Sequence, residues 1–276
     1  MTAPAGSIHV VFTLTSPLSH GGFGPPVGNA QLIRRMPLAL PSGALVHVPA
    51  VSGNALRGTL RRIIMRDLLA VSGLDRESPG WDALYAAVAN GGHLEGASTA
   101  LDPTYVRELR EALPALSVFG AALRTWFLEG RMRVGMCWPR CRETHEAGLV
   151  SHGTRGAEDL VAEHSQVRHV DREMQDPDVS GVTPMPTTME TLVTGTVLQS
   201  SITFHGRATD VERSCIAWGL DRLEVLGGKS ASGLGSVRVE HDCRHPGASV
   251  YAEWRETASP RAALEGLAAK LSADRK

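Results

Sequence analysis

Residues 225–239 read VLGGKSASGLGSVRV. Gly228-Lys229-Ser230 has the look of a phosphate-binding loop, so the elements on either side of it matter most. A Walker A loop needs a glycine five positions before Gly228, and Leu223 stands there. The preceding stretch, VERSCIAWGLDRLEVL (211–226), carries apolar residues at helical spacing, whereas SVRVEHD (236–242) alternates as a strand does. The order is therefore helix, glycine loop, strand, the reverse of a P-loop. A dinucleotide fingerprint also fails, because Arg238 occupies the place of the third glycine after Gly233 and Gly235. What remains is a glycine–serine turn with one lysine. It is either a flexible turn or a set of bare backbone N–H groups and a cation suited to some other phosphate.

The rest of the chain supplies the frame. IHVVFTLTS (8–16) alternates as a first strand, and PLSHGGFGPPVGNA (17–30) is a Gly/Pro loop. QLIRRMPLAL (31–40) reads as a strand or extended arm, PSG as a turn and ALVHVPA (44–50) as a returning strand. Residues 51–73 form the clearest helix, with Ser52 as its cap and Gly73 as its stop. Leu56, Leu60 and Ile63 fall on one face, and Asn54, Arg57, Gly58 and Arg61 on the other.

Residues 74–118 read as a helical insertion and 127–139 as a strand. From 140 to 189 periodicity dissolves into an arm too long for an ordinary connection. The spacing predicts the longest strand over 190–206, then a helix capped by Thr209 or Asp210, and a C-terminal helix opened by Pro260. Strand–helix–strands–helix–strand is the order of a ferredoxin-like βαββαβ core, an α+β fold in one domain (1–276) with insertions. RNA-recognition modules share that order. Aromatics are only 5% of this chain and no strand carries a run of them, so bases stacked on the sheet are not expected.

The 276 residues contain no apolar run of membrane-spanning length and no basic-then-apolar start, so neither an anchor nor a secretion signal is expected. Cys137, Cys141, Cys215 and Cys243 form no CxxC pair and read as reduced, structural thiols of a cytoplasmic protein. A zinc site from Cys137, Cys141, Cys243 and His245 has poor spacing, and no metal or cofactor is expected. The net charge is −1, yet all 29 acidic residues lie after position 66. Up to and including it stand Arg34, Arg35, Arg57, Arg61, Arg62 and Arg66. One wholly basic end points to a local polyanion site, or to docking on an acidic partner.

Three stretches in this order carry a resemblance: HVPAVSGNALRGTLRR (47–62), SVFGAALRTWFLEGRMRV (117–134) and GGKSASGLGSVRV (227–239). A fourth runs through Arg168-x-x-Asp171-Arg172 to Glu190 and a strand ending at Phe204. Together they resemble the RAMP superfamily of CRISPR-associated proteins, and within it the repeated backbone subunit of multi-subunit effector complexes. Type IV complexes are the nearer match and type III the less near. The resemblance implies a protein that binds guide RNA (crRNA), forms helical arrays with copies of itself, joins other effector subunits and presents the guide to a complementary target. It assigns guide phosphates to Ser52, Asn54, Arg57 and Arg61 on the first helix, and to Gly228, Lys229, Ser230 and Ser232 on the glycine loop. It places Arg168 and Arg172 on a thumb against kinked RNA, with Met174 as an apolar wedge. Guide sequence varies, so contacts should fall on the backbone. The plain alternatives are a solvated helix face for Arg57, Arg61 and Arg62, and a surface ion pair for Arg168 and Asp171. His145, His152, His164 and His169 read as polar loop residues.

Type III backbone subunits cut RNA with an Asp in the loop after the first strand and a divalent metal. Residues 16–30 here contain no carboxylate, so no metal-dependent cleavage is expected unless Asp171 or Asp176 of the thumb supplies one. His20 lies in that loop and defines the alternative, a metal-independent RAMP endoribonuclease that processes guide precursor. Such enzymes usually have two tandem halves, and one is legible here. A protein scaffold without RNA is the third reading.

Overall fold

The computed structural model describes residues 7–22, 30–99, 102–166, 187–206, 208–244, 246–257 and 260–273. The strands are β1 (Ile8–Leu14), β2 (Ala30–Gln31), β3 (Arg35–Ala39), β4 (Leu45–Pro49), β5 (Gly92–Thr99), β6 (Ala121–Leu128), β7 (Met132–Val134), β8 (Trp138–Pro139), β9 (Val161–Gln166), β10 (Thr187–Leu192), β11 (Val197–Phe204) and β12 (Val237–His241). The helices are α1 (Gly53–Ser72), α2 (Trp81–Asn90), α3 (Pro103–Ala112), α4 (Pro114–Phe119), α5 (Arg142–Glu146), α6 (Asp210–Leu220), α7 (Ser249–Thr257) and α8 (Pro260–Ala273). None of these helices is long and apolar enough to cross a membrane.

Alternation in β1 buries Ile8, Val10, Phe12 and Leu14, which makes it the centre of the main sheet. The sheet runs β12-β1-β11-β7 and is antiparallel throughout, with Phe12 opposite Leu198 on one side and Val239 on the other. Helix α1 lies between β1 and β7 in sequence, and α6 between β11 and β12. This is the βαββαβ arrangement with spatial order four-one-three-two. Leu56, Leu60, Ile64 and Leu68 of α1 and Cys215, Ile216 and Leu220 of α6 are buried in the same core. The two helices cross closely at Gly219, where a Cβ would stand 2.6 Å from Ile64 Cδ1.

Ser52 caps α1 as the sequence predicts, and of Thr209 and Asp210 it is Thr209 that caps α6. Ser52 Oγ accepts from Ala55 N at 3.2 Å, and Gly73 ends α1 with φ +66°. At α6, Thr209 Oγ1 accepts from Glu212 N while Glu212 Oε2 accepts from Thr209 N at 2.7 Å, closing a capping box. The same buried carboxylate also accepts from Arg131 at 2.9 Å and from the Ser117 hydroxyl, so one side chain joins α6 to α4 and to the approach to β7.

Several expectations need correction. Residues 190–206 are not one strand. β10 ends at Leu192, the chain turns at Gly195 with φ +85°, and β11 begins at Val197. Gly195 N donates to Leu14 O at 2.8 Å, which holds the turn against the end of β1. Before it, β10 belongs to a second sheet of order β2-β10-β9. Leu192 and Leu198, and Val193 and Val197, keep the same parity across the break, so periodicity alone hides it. The stretch 74–118 carries α2, α3 and α4, but also β5, which pairs in parallel with β6. The stretch 127–139 is the end of β6 followed by the short β7 and β8, and α6 stops at Leu220 rather than running to 226. Ile63 is only partly buried while Ile64 faces the core. Helix α7 was not expected at all.

Within the arm, α5, β9 and β10 are described, while Arg168, Asp171, Arg172, Met174 and Asp176 lie outside the described residues. Cys137 precedes β8 and Cys243 follows β12, on opposite edges of the main sheet with β1 and β11 between them. Burial raises the Cys137 thiol to about 12.

Removing the shared carboxylate should be costly. Glu212→Ala is expected to lower unfolding free energy by about 3 kcal/mol, read by urea denaturation. Glu265→Ala breaks the exposed pair with Arg261 and is expected to cost under about 0.5 kcal/mol.

Candidate nucleic-acid interface

The chain leaving β1 is hydrogen-bonded on both sides. On one side Pro17 O accepts from Gly235 N and Ser19 O from Gly228 N, both at 2.8 Å. On the other, His20 Nε2 accepts from Ser52 N at 3.2 Å, and His20 O from Arg34 N at 2.8 Å. Ser19 and His20 therefore stand between the glycine loop and the N-terminus of α1, separated in sequence by more than 170 positions. The free N–H groups of a helix start attract anions, and here a second backbone loop lies beside them.

The loop is closed at its base by Leu226 N donating to Gly235 O at 2.8 Å. Two glycines are required there. Gly227 has φ +85° and a Cβ on it would stand 2.5 Å from Ser19 O; Gly235 has φ +82° and its Cβ would stand 2.1 Å from Leu226 O. Lys229 itself adopts φ +59° and opens a short turn over Ser230–Ser232. Gly228, Lys229, Ser230 and Ser232 are exposed. The Lys229 side chain makes no hydrogen bond or ion pair with a described residue, so its ammonium is available. The Gly228 and Ser232 N–H groups are not, because Ser19 O and Lys229 O accept from them. The anion-binding capacity of this loop rests on Lys229, the serine hydroxyls and the remaining N–H groups.

The α1 residues divide. Ser52 uses its hydroxyl as the cap. Asn54 is exposed at the helix start. Arg57 donates to Phe119 O; Arg61 donates to Gly120 O at 2.5 Å and Val88 O at 3.1 Å and sits 5.7 Å from the Phe119 ring centroid. Burial lowers the affinity of Arg57 for its proton. Burial first, and then the neighbouring Arg57, bring Arg61 to about 10, so both remain charged at neutral pH. These arginines hold α1 to the end of α2 and to the turn before β6. They are neither a solvated face nor fully free.

Asn54, Arg57 and Arg61 nevertheless line a cleft of about 550 Å³, completed by Phe127, Arg133 and His205. The last three were not legible as site residues, because nothing local to β6, β7 or residue 205 signals that they meet α1. Phe127 is 58% exposed. The acid-free N-terminal segment is also less basic in space than in sequence. Arg35 pairs with Glu190 at 2.6 Å and Glu158 at 2.9 Å, and Glu190 also accepts from Ile33 N.

No family model and no curated protein sequence matches the chain. Solved structures do. A chain of a type IV-B CRISPR complex is 22% identical with a TM-score of 0.53, over 86% of this chain and 91% of that one. Csc2 of Thermofilum pendens is 20% identical with a TM-score of 0.42, over 98% of this chain and 78% of that one. The first of these likenesses shows a shared fold: an α+β, ferredoxin-like core with insertions.

The contact between His20 and Ser52 carries a pH dependence. Burial, and secondarily Arg34, lower the His20 pKa below 6.5. The unfolded chain therefore takes up the proton first, and stability is expected to fall as pH drops from 6.5 toward the folded-state value. His20→Gln should flatten that part of a stability-versus-pH curve measured by urea denaturation.

Proposed function

We propose that this chain is a guide-RNA-binding backbone subunit of a CRISPR effector complex, holding RNA by its phosphates and assembling with copies of itself along it. The observation that carries the reading is the meeting of the glycine loop and the α1 N-terminus across Ser19 and His20. It occurs within a fold shared with a chain of a type IV-B CRISPR complex. Lys229 acts as a point charge, without the fork geometry that reads base edges. Ser230 and Ser232 offer hydroxyls, and Arg57 and Arg61 give one wall of the neighbouring cleft a fixed positive potential. The arrangement suits any guide sequence, because every contact it offers is to backbone. Other effector subunits and a complementary target are the remaining partners.

The same reading makes the chain a presenter of RNA and leaves cleavage to others. Residues 15–50 contain no carboxylate that could hold a divalent ion beside a phosphate. His20 has its Nε2 engaged by the Ser52 N–H, which disfavours it as the base of a precursor-processing enzyme.

Nuclease-treated purification tests the proposal. A ladder of protected RNA in regular increments is expected. Discrete cuts in a hairpin precursor would replace the reading with the processing enzyme, and absence of nucleic acid would replace it with a protein scaffold. Lys229→Glu is expected to weaken binding equally for unrelated RNA sequences and to make the salt dependence of log K shallower by about one unit, with no loss of thermal stability. Arg61→Glu should lower thermal stability as well, since it breaks the contacts with Val88 and Gly120. Complementary RNA paired to the assembled guide should stay intact in Mg²⁺ or Mn²⁺. Cuts that EDTA abolishes would overturn the non-nuclease part.

A further inference from the structure

A second cationic cleft lies at the turn between β10 and β11. It measures about 420 Å³, and among the described residues its polar lining comes from Arg140, Arg155, His152, Thr154, Thr194 and Thr196, with no carboxylate among them. Its walls are fixed by backbone contacts. Arg140 N donates to Val197 O and Arg142 N to Arg155 O, both at 2.8 Å. Gly153 packs so tightly that a Cβ would stand 2.1 Å from Cys141 O. The turn itself is held to the end of β1 by Leu14 N donating to Thr196 O at 2.9 Å.

Two features ask for a partner that the described residues do not supply. Thr196 is 4% exposed and its hydroxyl is buried without a hydrogen bond, and Arg140 Nε is likewise buried and unpartnered. Each such group costs about 1–3 kcal/mol when left unsatisfied, and both belong to the lining of one cleft. Arg155 is exposed and pairs with no described carboxylate. The nearby acids are engaged elsewhere: Glu143 with Ala157 N and Arg142, Asp159 with Gly156 N, Glu158 with Arg35. Arg140 Nη1 lies 3.4 Å from His152 Nε2, and Ser151 Oγ lies 3.1 Å from His152 Nδ1. The result is a concentration of donors that no described carboxylate meets.

We propose that this cleft is an anion site that takes a phosphate group, with Arg140 and Arg155 as its cations and the Thr196 side chain in its floor. Its volume admits a phosphate with an attached sugar. The phosphate can belong to a polynucleotide or to a free small molecule. The cleft and the glycine loop both attach to the chain at the end of β1, through Leu14 and Ser19. The inference does not depend on the RNA reading.

The test is titration of the full chain with inorganic phosphate at constant ionic strength, replacing chloride, followed by calorimetry and thermal shift. Saturable binding is expected. Arg155→Gln should weaken it about tenfold, the equivalent of one lost charge-assisted hydrogen bond. Thr196→Val should weaken it a few-fold without lowering the melting temperature of the phosphate-free protein, because no bond within the fold is lost. Arg261→Gln, which breaks only the exposed pair with Glu265, should leave it unchanged. If Arg155→Gln also makes the RNA salt dependence shallower by about one unit, the phosphate is that of a polynucleotide. If RNA affinity is unchanged while phosphate binding falls, the occupant is a free phosphate compound. No saturable effect beyond chloride overturns the site, as does an effect that Arg155→Gln leaves intact or Arg261→Gln abolishes. A wild-type protein that binds phosphate through Arg155 and binds no RNA would refute the proposed function and leave this site standing.

Discussion

The backbone of residues 14–20 is the strip on which this molecule is organised. Because β1 is flanked by the antiparallel β11 and β12, its exit must run between whatever precedes those neighbours. Leu14 meets the turn before β11, Pro17 and Ser19 meet the loop before β12, and His20 meets the cap of α1. Buried backbone groups must find partners. Here those partners are the loops and helix ends that bear the lysine, the hydroxyls and the clustered arginines. The requirement that satisfies the chain's own amides is the one that gathers its cationic groups.

That economy has a second side. A basic residue can serve the fold or a ligand, and its hydrogen bonds show which. Arg35 is held by two carboxylates, Arg61 by backbone carbonyls, and Arg57 by one carbonyl while still bordering a cleft. Lys229 and Arg155 are exposed and uncommitted among the described residues. A buried guanidinium also contributes field to the cleft it borders, so structural arginines are not electrostatically silent. The difference lies in mobility. Lys229 can follow a phosphate, whereas Arg61 cannot leave without opening α1 from α2.

Local pattern was enough for a good part of this. Ser52 and Gly73 bound a helix because a hydroxyl cap and a left-handed glycine act within one turn. A cap for α6 was legible at Thr209 or Asp210 for the same reason, and β1 reads as a buried strand from its own alternation. Helix, glycine loop and strand in that order rejected a nucleotide fold and led to the βαββαβ core. The glycine loop was legible because its chemistry is contained in consecutive residues.

Three-dimensional proximity was needed for the rest. The acid-free first 66 residues read as a free positive field, yet Arg35 finds Glu158 and Glu190 across 123 and 155 positions of chain. No local rule pairs residues so distant. The break at Gly195 is invisible to alternation because it is made by Leu14, a residue of another strand. Phe127, Arg133 and His205 became cleft residues, and Arg140 and Thr196 neighbours, only when the sheet closed. Caps and periods are set by atoms a few bonds apart and can be read from the string. Which donors remain free depends on what packs against them, and that exists only in the folded chain.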